Sequence, residues 1–73
     1  MISRPDVAER VSALMLELGA KLDDSVREVG DSCSDEEFSR YRQAVGNIMG
    51  TILLDVLNPI YAAHPRLKPK QLK

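Results

Sequence analysis

Few side chains in this 73-residue chain could do chemistry, and they are scattered. Cys33 is the only cysteine and His64 the only histidine. Cys33 stands just ahead of a helix-start sequence, where the helix dipole activates a thiol. Asp31, Asp35, Glu36 and Glu37 crowd it and oppose that effect. The expected role of Cys33 is therefore a small apolar loop residue packed opposite Phe38. His64 has no glutamate three residues before it, so the Glu-x-x-His pair of di-iron bundles is missing. A zinc site would need a second histidine or a pair of cysteines. The acidic cluster around Cys33 lacks the spacing of a calcium-binding loop, and helix capping accounts for it. Gly-rich phosphate-cradling loops do not occur. The reading is a non-enzymatic chain with no catalytic residue, no metal and no cofactor.

A polar line at near-helical spacing, Asn47, Thr51, Asp55 and Asn58, reads as the exposed side of an amphipathic helix. Asp55 is the only charge between Arg42 and His64. If buried it would need a partner such as Arg10 or Arg42, and would then fix bundle register.

The elements that must position these residues are helical. Ser3 is placed to cap a first helix starting near Arg4, with Pro5 in its first turn and Ile2 and Val7 as a hydrophobic staple. Val7, Val11, Leu14, Leu18, Leu22, Val26 and Val29 share one face, with Met15 and Ala8 at its edge, and Gly30 is the expected stop. After a four-residue loop, Ser34 and Glu37 form a capping box for a second helix. Its apolar residues are Phe38, Tyr41, Val45, Ile48, Met49, Ile52, Leu53, Val56, Leu57 and Ile60. They span about 180° of the helix surface, wider than one neighbour requires. Pro59 is expected to stop or kink this helix near Asn58 and to start a short third helix running to His64.

The predicted fold is all-α: an antiparallel helical hairpin with a short third helix over residues 1–65, followed by a flexible basic tail over 66–73. A lone hairpin of this size buries too little to offset the ordering of its chain. The wide apolar arc points to a homodimer forming a four-helix bundle through the ten residues just named. Gly46 and Gly50, four residues apart at the margin of that arc, would permit close helix crossing.

Charge is uneven. Residues 1–63 carry six basic and all eleven acidic side chains. The remaining ten residues carry Arg66, Lys68, Lys70 and Lys73 and no acid. The tail (Arg66, Lys68, Lys70) and a small patch at Leu16 are the expected partner contacts. The leading functional expectation is a protein–protein interaction module. The alternative is a nucleic-acid accessory protein that contacts phosphates through Arg4, Arg10, Arg27 and the tail. No signal peptide or membrane-spanning run is expected, and the single cysteine excludes an internal disulfide framework. The expected location is the cytoplasm.

Overall fold

The computed structural model describes residues 1–69. Helix α1 spans Pro5–Ser32 and α2 spans Asp35–Thr51. A π-helical segment, Ile52–Leu57, carries α2 into α3, Asn58–Ala63, and a 3₁₀ turn follows at Pro65–Leu67. No strand occurs among the described residues.

Both starts follow from local chemistry. Pro5 occupies the first turn of α1, where its missing N–H leaves nothing unpaired. The cap residue is Arg4 rather than Ser3, and no side-chain cap bond forms. Instead Arg4 pairs with Asp6 at 2.8 Å. At α2 the expected capping box is complete. The Glu37 N–H donates to Ser34 Oγ at 3.2 Å, and the Ser34 N–H donates to Glu37 Oε1 at 3.2 Å.

Gly30 does not end α1. The helix runs on to Ser32, and only Cys33 and Ser34 separate it from α2. The backbone at Gly30 has no positive φ. Its role is spatial: a Cβ there would lie 3.0 Å from Phe38 Cε1. The glycine makes room for the Phe38 ring, which also carries the Arg42 guanidinium 5.8 Å above its centre.

The short third helix starts at Asn58 with Pro59 in its first turn, as expected, but the chain does not stop there. A proline removes one N–H and presses on the carbonyl four residues back. The helix absorbs this by widening: the Asn58 N–H reaches the Leu53 carbonyl, five residues earlier. A continuous helix therefore runs over Asp35–Ala63, 29 residues long. By length and composition it is apolar enough to cross a membrane, although Asn47, Thr51 and Asp55 interrupt its apolar run.

The two long helices are antiparallel, and one register holds along their length. Gly30 meets Phe38, and Gly19 lies 3.8 Å from the Met49 methyl group by way of its would-be Cβ. Ser25 Oγ donates to the Leu22 carbonyl at 2.6 Å, which commits its only proton. Tyr41 Oη therefore donates to Ser25 Oγ, at 2.8 Å. At the far end His64 Nε2 donates to the Ile2 carbonyl at 2.7 Å. His64 is half-buried and ties the start of the chain to the end of α3, rather than standing solvated at a helix end.

Five of the seven residues of the stripe expected on α1, Val7, Val11, Leu22, Val26 and Val29, are half-buried, and the seam takes in Ala8 and Met15 from its edge. Ala8, Ser12, Met15, Gly19, Leu22, Val26 and Val29 are buried or half-buried throughout, spaced alternately four and three. Leu14 and Leu18 are exposed. Small side chains at 8, 12 and 19 let the helices approach closely, and that approach selects the seam. Buried Ser12 is satisfied by donating to the Glu9 carbonyl at 3.0 Å. The core is correspondingly small. Ala8, Leu57, Ile60 and Tyr61 form one buried cluster, flanked by Ile2, Val11, Met15, Ile52, Val56 and Leu67. Leu67 thus packs onto the core although it lies in the expected tail.

Tyr61 is 6% exposed, and its hydroxyl has no hydrogen-bond partner among the described residues. Burial pushes its pKa above 10.0.

Two stability measurements test this packing. Gly30→Val forces the Phe38 ring outward, and chemical denaturation is expected to show a loss of about 1–3 kcal/mol. A neutral or stabilising result would contradict the close Gly30–Phe38 contact. Tyr61→Phe removes an unpaired buried hydroxyl and is expected to raise stability by about 1 kcal/mol at neutral pH. Above pH 10 the unfolded tyrosine loses its proton before the folded one, so stability falls as pH rises. The Phe variant should lose less over that range; an equal loss in both proteins would place the alkaline effect elsewhere.

Candidate functional site

The expected self-association face divides in the structure. Val45, Leu57 and Ile60 are buried. Phe38, Tyr41, Met49, Ile52 and Val56 are half-buried, while Ile48 and Leu53 remain exposed. Much of the face is thus consumed inside the hairpin, against α1. Besides Met1 at the N-terminus, the large apolar side chains left in solvent among the described residues are Leu14, Leu16 and Leu18 on α1 and Ile48, Leu53 and Leu54 beyond the turn, each between 40% and 63% exposed. On a helical wheel, Leu14 and Leu18 fall on one side of the α1 seam and Leu16 on the other.

Leu16 borders an open apolar groove of about 520 Å³. The groove runs between the helices. Met15, Leu16, Gly19 and Ala20 line it from α1, and Met49, Gly50, Leu53 and Leu57 from the opposite helix. Asp23 is its only ionisable lining residue. The patch expected at Leu16 is therefore part of one wall of a larger feature. Sequence reasoning missed Gly19 and Leu54. Gly19 has no apolar side chain to count, and Leu54 lies opposite the arc that periodicity emphasises.

Beyond their own helix backbone, Gly46 and Gly50 have nothing among the described residues within 4 Å of a would-be Cβ. Neither is in a positive-φ conformation. Each lowers helix propensity by up to ~1 kcal/mol relative to alanine, and no intramolecular contact requires it. They flank the midpoint of the continuous Asp35–Ala63 helix. From Gln43 to Ala63 that helix carries one charge, Asp55. Asp55 is exposed, as are Asn47, Thr51 and Asn58. The polar line is thus a solvent-facing edge, and Thr51 Oγ donates to the Asn47 carbonyl at 3.1 Å. Arg10 lies 3.9 Å from Asp6 and Arg42 covers Phe38, so the partners considered for Asp55 are engaged elsewhere.

Charge is polarised along the molecule, which measures 44 × 20 × 16 Å. The helical turn lies at one end. Around it, from Lys21 to Arg42, seven carboxylates face four basic side chains. Arg27 pairs with Asp23 and Asp24, each at 2.9 Å, and Arg40 pairs with Glu36 at 2.9 Å. Glu28, Asp31 and Asp35 make no ion pair among the described residues. The His64–Ile2 contact gathers Arg4, Arg10, Arg66 and Lys68 at the other end, against Asp6 and Glu9. Arg66 and Lys68 are exposed and make no ion pair among the described residues. Lys70 lies outside the described residues.

Cys33 is exposed at the turn. It borders a shallow depression with Val29, Glu37, Arg40 and Tyr41. No histidine lies beside it, since His64 is held at the opposite end by Ile2. No group of three or more His, Cys, Asp or Glu side chains that could hold a metal ion occurs among the described residues. The arrangement offers apolar surface and oriented charge. No known protein family, curated protein or solved structure matches this chain.

Proposed function

We propose that this chain is a small, non-enzymatic helical interaction module that works as a homodimer, two hairpins completing a four-helix bundle. One observation carries the reading: six large apolar side chains stay in water because the hairpin has no third layer to cover them. Among the described residues, Ile60 is the only large side chain that the single chain buries completely. Helical layers are stable when each apolar face meets another, and a second hairpin covers one of the two sides on which these side chains lie, the side of Leu16 and Leu53. A long side of the molecule, 44 by 20 Å, is of the size that a standard interface takes from each partner, ~800 Å². The residues expected to bind a further protein are those the dimer leaves outside.

The alternative, phosphate contacts from the basic end, has one supporting observation: the fold brings Arg4 and Arg10 to the same end as Arg66 and Lys68. It is weaker because Asp6 already engages Arg4, at 2.8 Å, and lies 3.9 Å from Arg10. The acidic turn also repels a polyanion.

Light scattering across a range of concentrations tests the proposal. The expected mass is twice the 8.1 kDa of one chain. A single-chain mass at every concentration would overturn it. Salt-sensitive binding to duplex DNA or RNA by that monomer would transfer support to the phosphate reading.

A further inference from the structure

Three features without an intramolecular explanation lie on or beside one surface. The groove between the helices is lined almost wholly by apolar side chains. Gly50 is in its wall and Gly46 stands one turn earlier, both without a neighbour among the described residues beyond their own helix backbone. The helix that carries them is nearly free of charge for its last twenty residues, yet much of it is exposed. Loss of charge on exposed surface marks the centre of an interface, and glycine on a helix surface allows another backbone to come close.

Resting on the homodimer reading above, we infer that the occupant of this groove is a second copy of the same chain in antiparallel orientation. The helix Asp35–Ala63 of one copy crosses that of the other near Gly50. Two observations set the orientation. The glycines flank the middle of the helix, so a two-fold axis there overlaps the copies along their full length. The long axis also runs from an acidic turn to a basic end. Antiparallel stacking sets the unpaired carboxylates Glu28, Asp31 and Asp35 beside the partner end that carries basic Arg66 and Lys68. A parallel pair would set like against like, and complementary charge fixes orientation more than affinity. A lipid surface fits less well. Asn47, Thr51, Asp55 and Asn58 are exposed along the same helix, and α1 beside it is heavily charged.

Cys33 provides the test, because it is the sole cysteine and is exposed at the turn. A nitroxide on Cys33 in the full chain reports the distance between the two turns by pulsed electron resonance. The antiparallel dimer predicts a distance close to the molecule's 44 Å length. Parallel hairpins would hold the labels within about 20 Å, roughly two helix spacings. Gly50→Glu keeps the helix, since nothing of its own chain is crowded, but sets two carboxylates face to face across the axis. It is expected to weaken dimerisation at least about tenfold. Leu14→Glu, on the other side of the α1 seam, is expected to leave dimerisation within about twofold.

A dimer with the short distance would overturn the antiparallel orientation and leave the homodimer standing. A dimer broken by Leu14→Glu and untouched by Gly50→Glu would overturn the groove as the interface. A monomer in all conditions would overturn both this inference and the homodimer reading. If that monomer bound vesicles of phosphatidylcholine and phosphatidylglycerol, the groove would belong to lipid.

Discussion

The structure depends on how closely α1 can approach the helix opposite. Ala8, Ser12 and Gly19 stand on the seam where a helical pair would ordinarily place leucine or valine. They let the backbones draw together, and Gly30 does the same at the turn, where the Phe38 ring sits against the helix. The consequence is displacement. Leu14 and Leu18 swing to one side of the seam and Leu16 to the other, all of them partly in water. A close pair of helices thus gains contact along a narrow line and leaves its largest apolar groups on the outside. That surplus, rather than any reactive side chain, is the chain's most functional property.

The two ends of the hairpin are held in different ways. At the turn, two residues and a complete capping box reverse the chain. At the open end, a hydrogen bond from His64 to Ile2 spans nearly the whole sequence, beside the cluster of Ala8, Leu57, Ile60 and Tyr61. This closure also organises charge. It brings basic groups from both ends of the sequence together, opposite an acidic turn. Without the fold, the charge pattern is an acidic body with a basic tail. With it, the molecule is a rod with a sign at each end.

Much of the fold was legible because its signals are local. Ser34 to Glu37 lie within a single helical turn and need no tertiary information to form their box. Pro5 belongs in a first turn wherever that turn lies. Gly30 was misread because its familiar local meaning, a stop, was overridden by packing: Phe38 needs the space there. Pro59 does start a short helix, but a widened helical turn joins it to α2 without a stop. Leu14 and Leu18 were placed on the seam because periodicity counts large apolar residues, whereas close approach selects small ones. The partner of His64 lies at the opposite end of the sequence, where no local signal points to it. For the candidate surface, Leu16, Gly46 and Gly50 were visible as isolated oddities. The groove joining Leu16 to Gly50 exists only once the register of the two helices is known.

The central claim is that one chain's packing is incomplete and that association finishes it. Folding and association are then one equilibrium, and apparent stability must follow mass action. The most direct measurement is the thermal midpoint of the unmodified chain as a function of its own concentration. The account predicts a midpoint that climbs steadily over a hundredfold rise in concentration. A midpoint that stays constant over that range would show that the isolated hairpin is complete by itself, and the claim would fail.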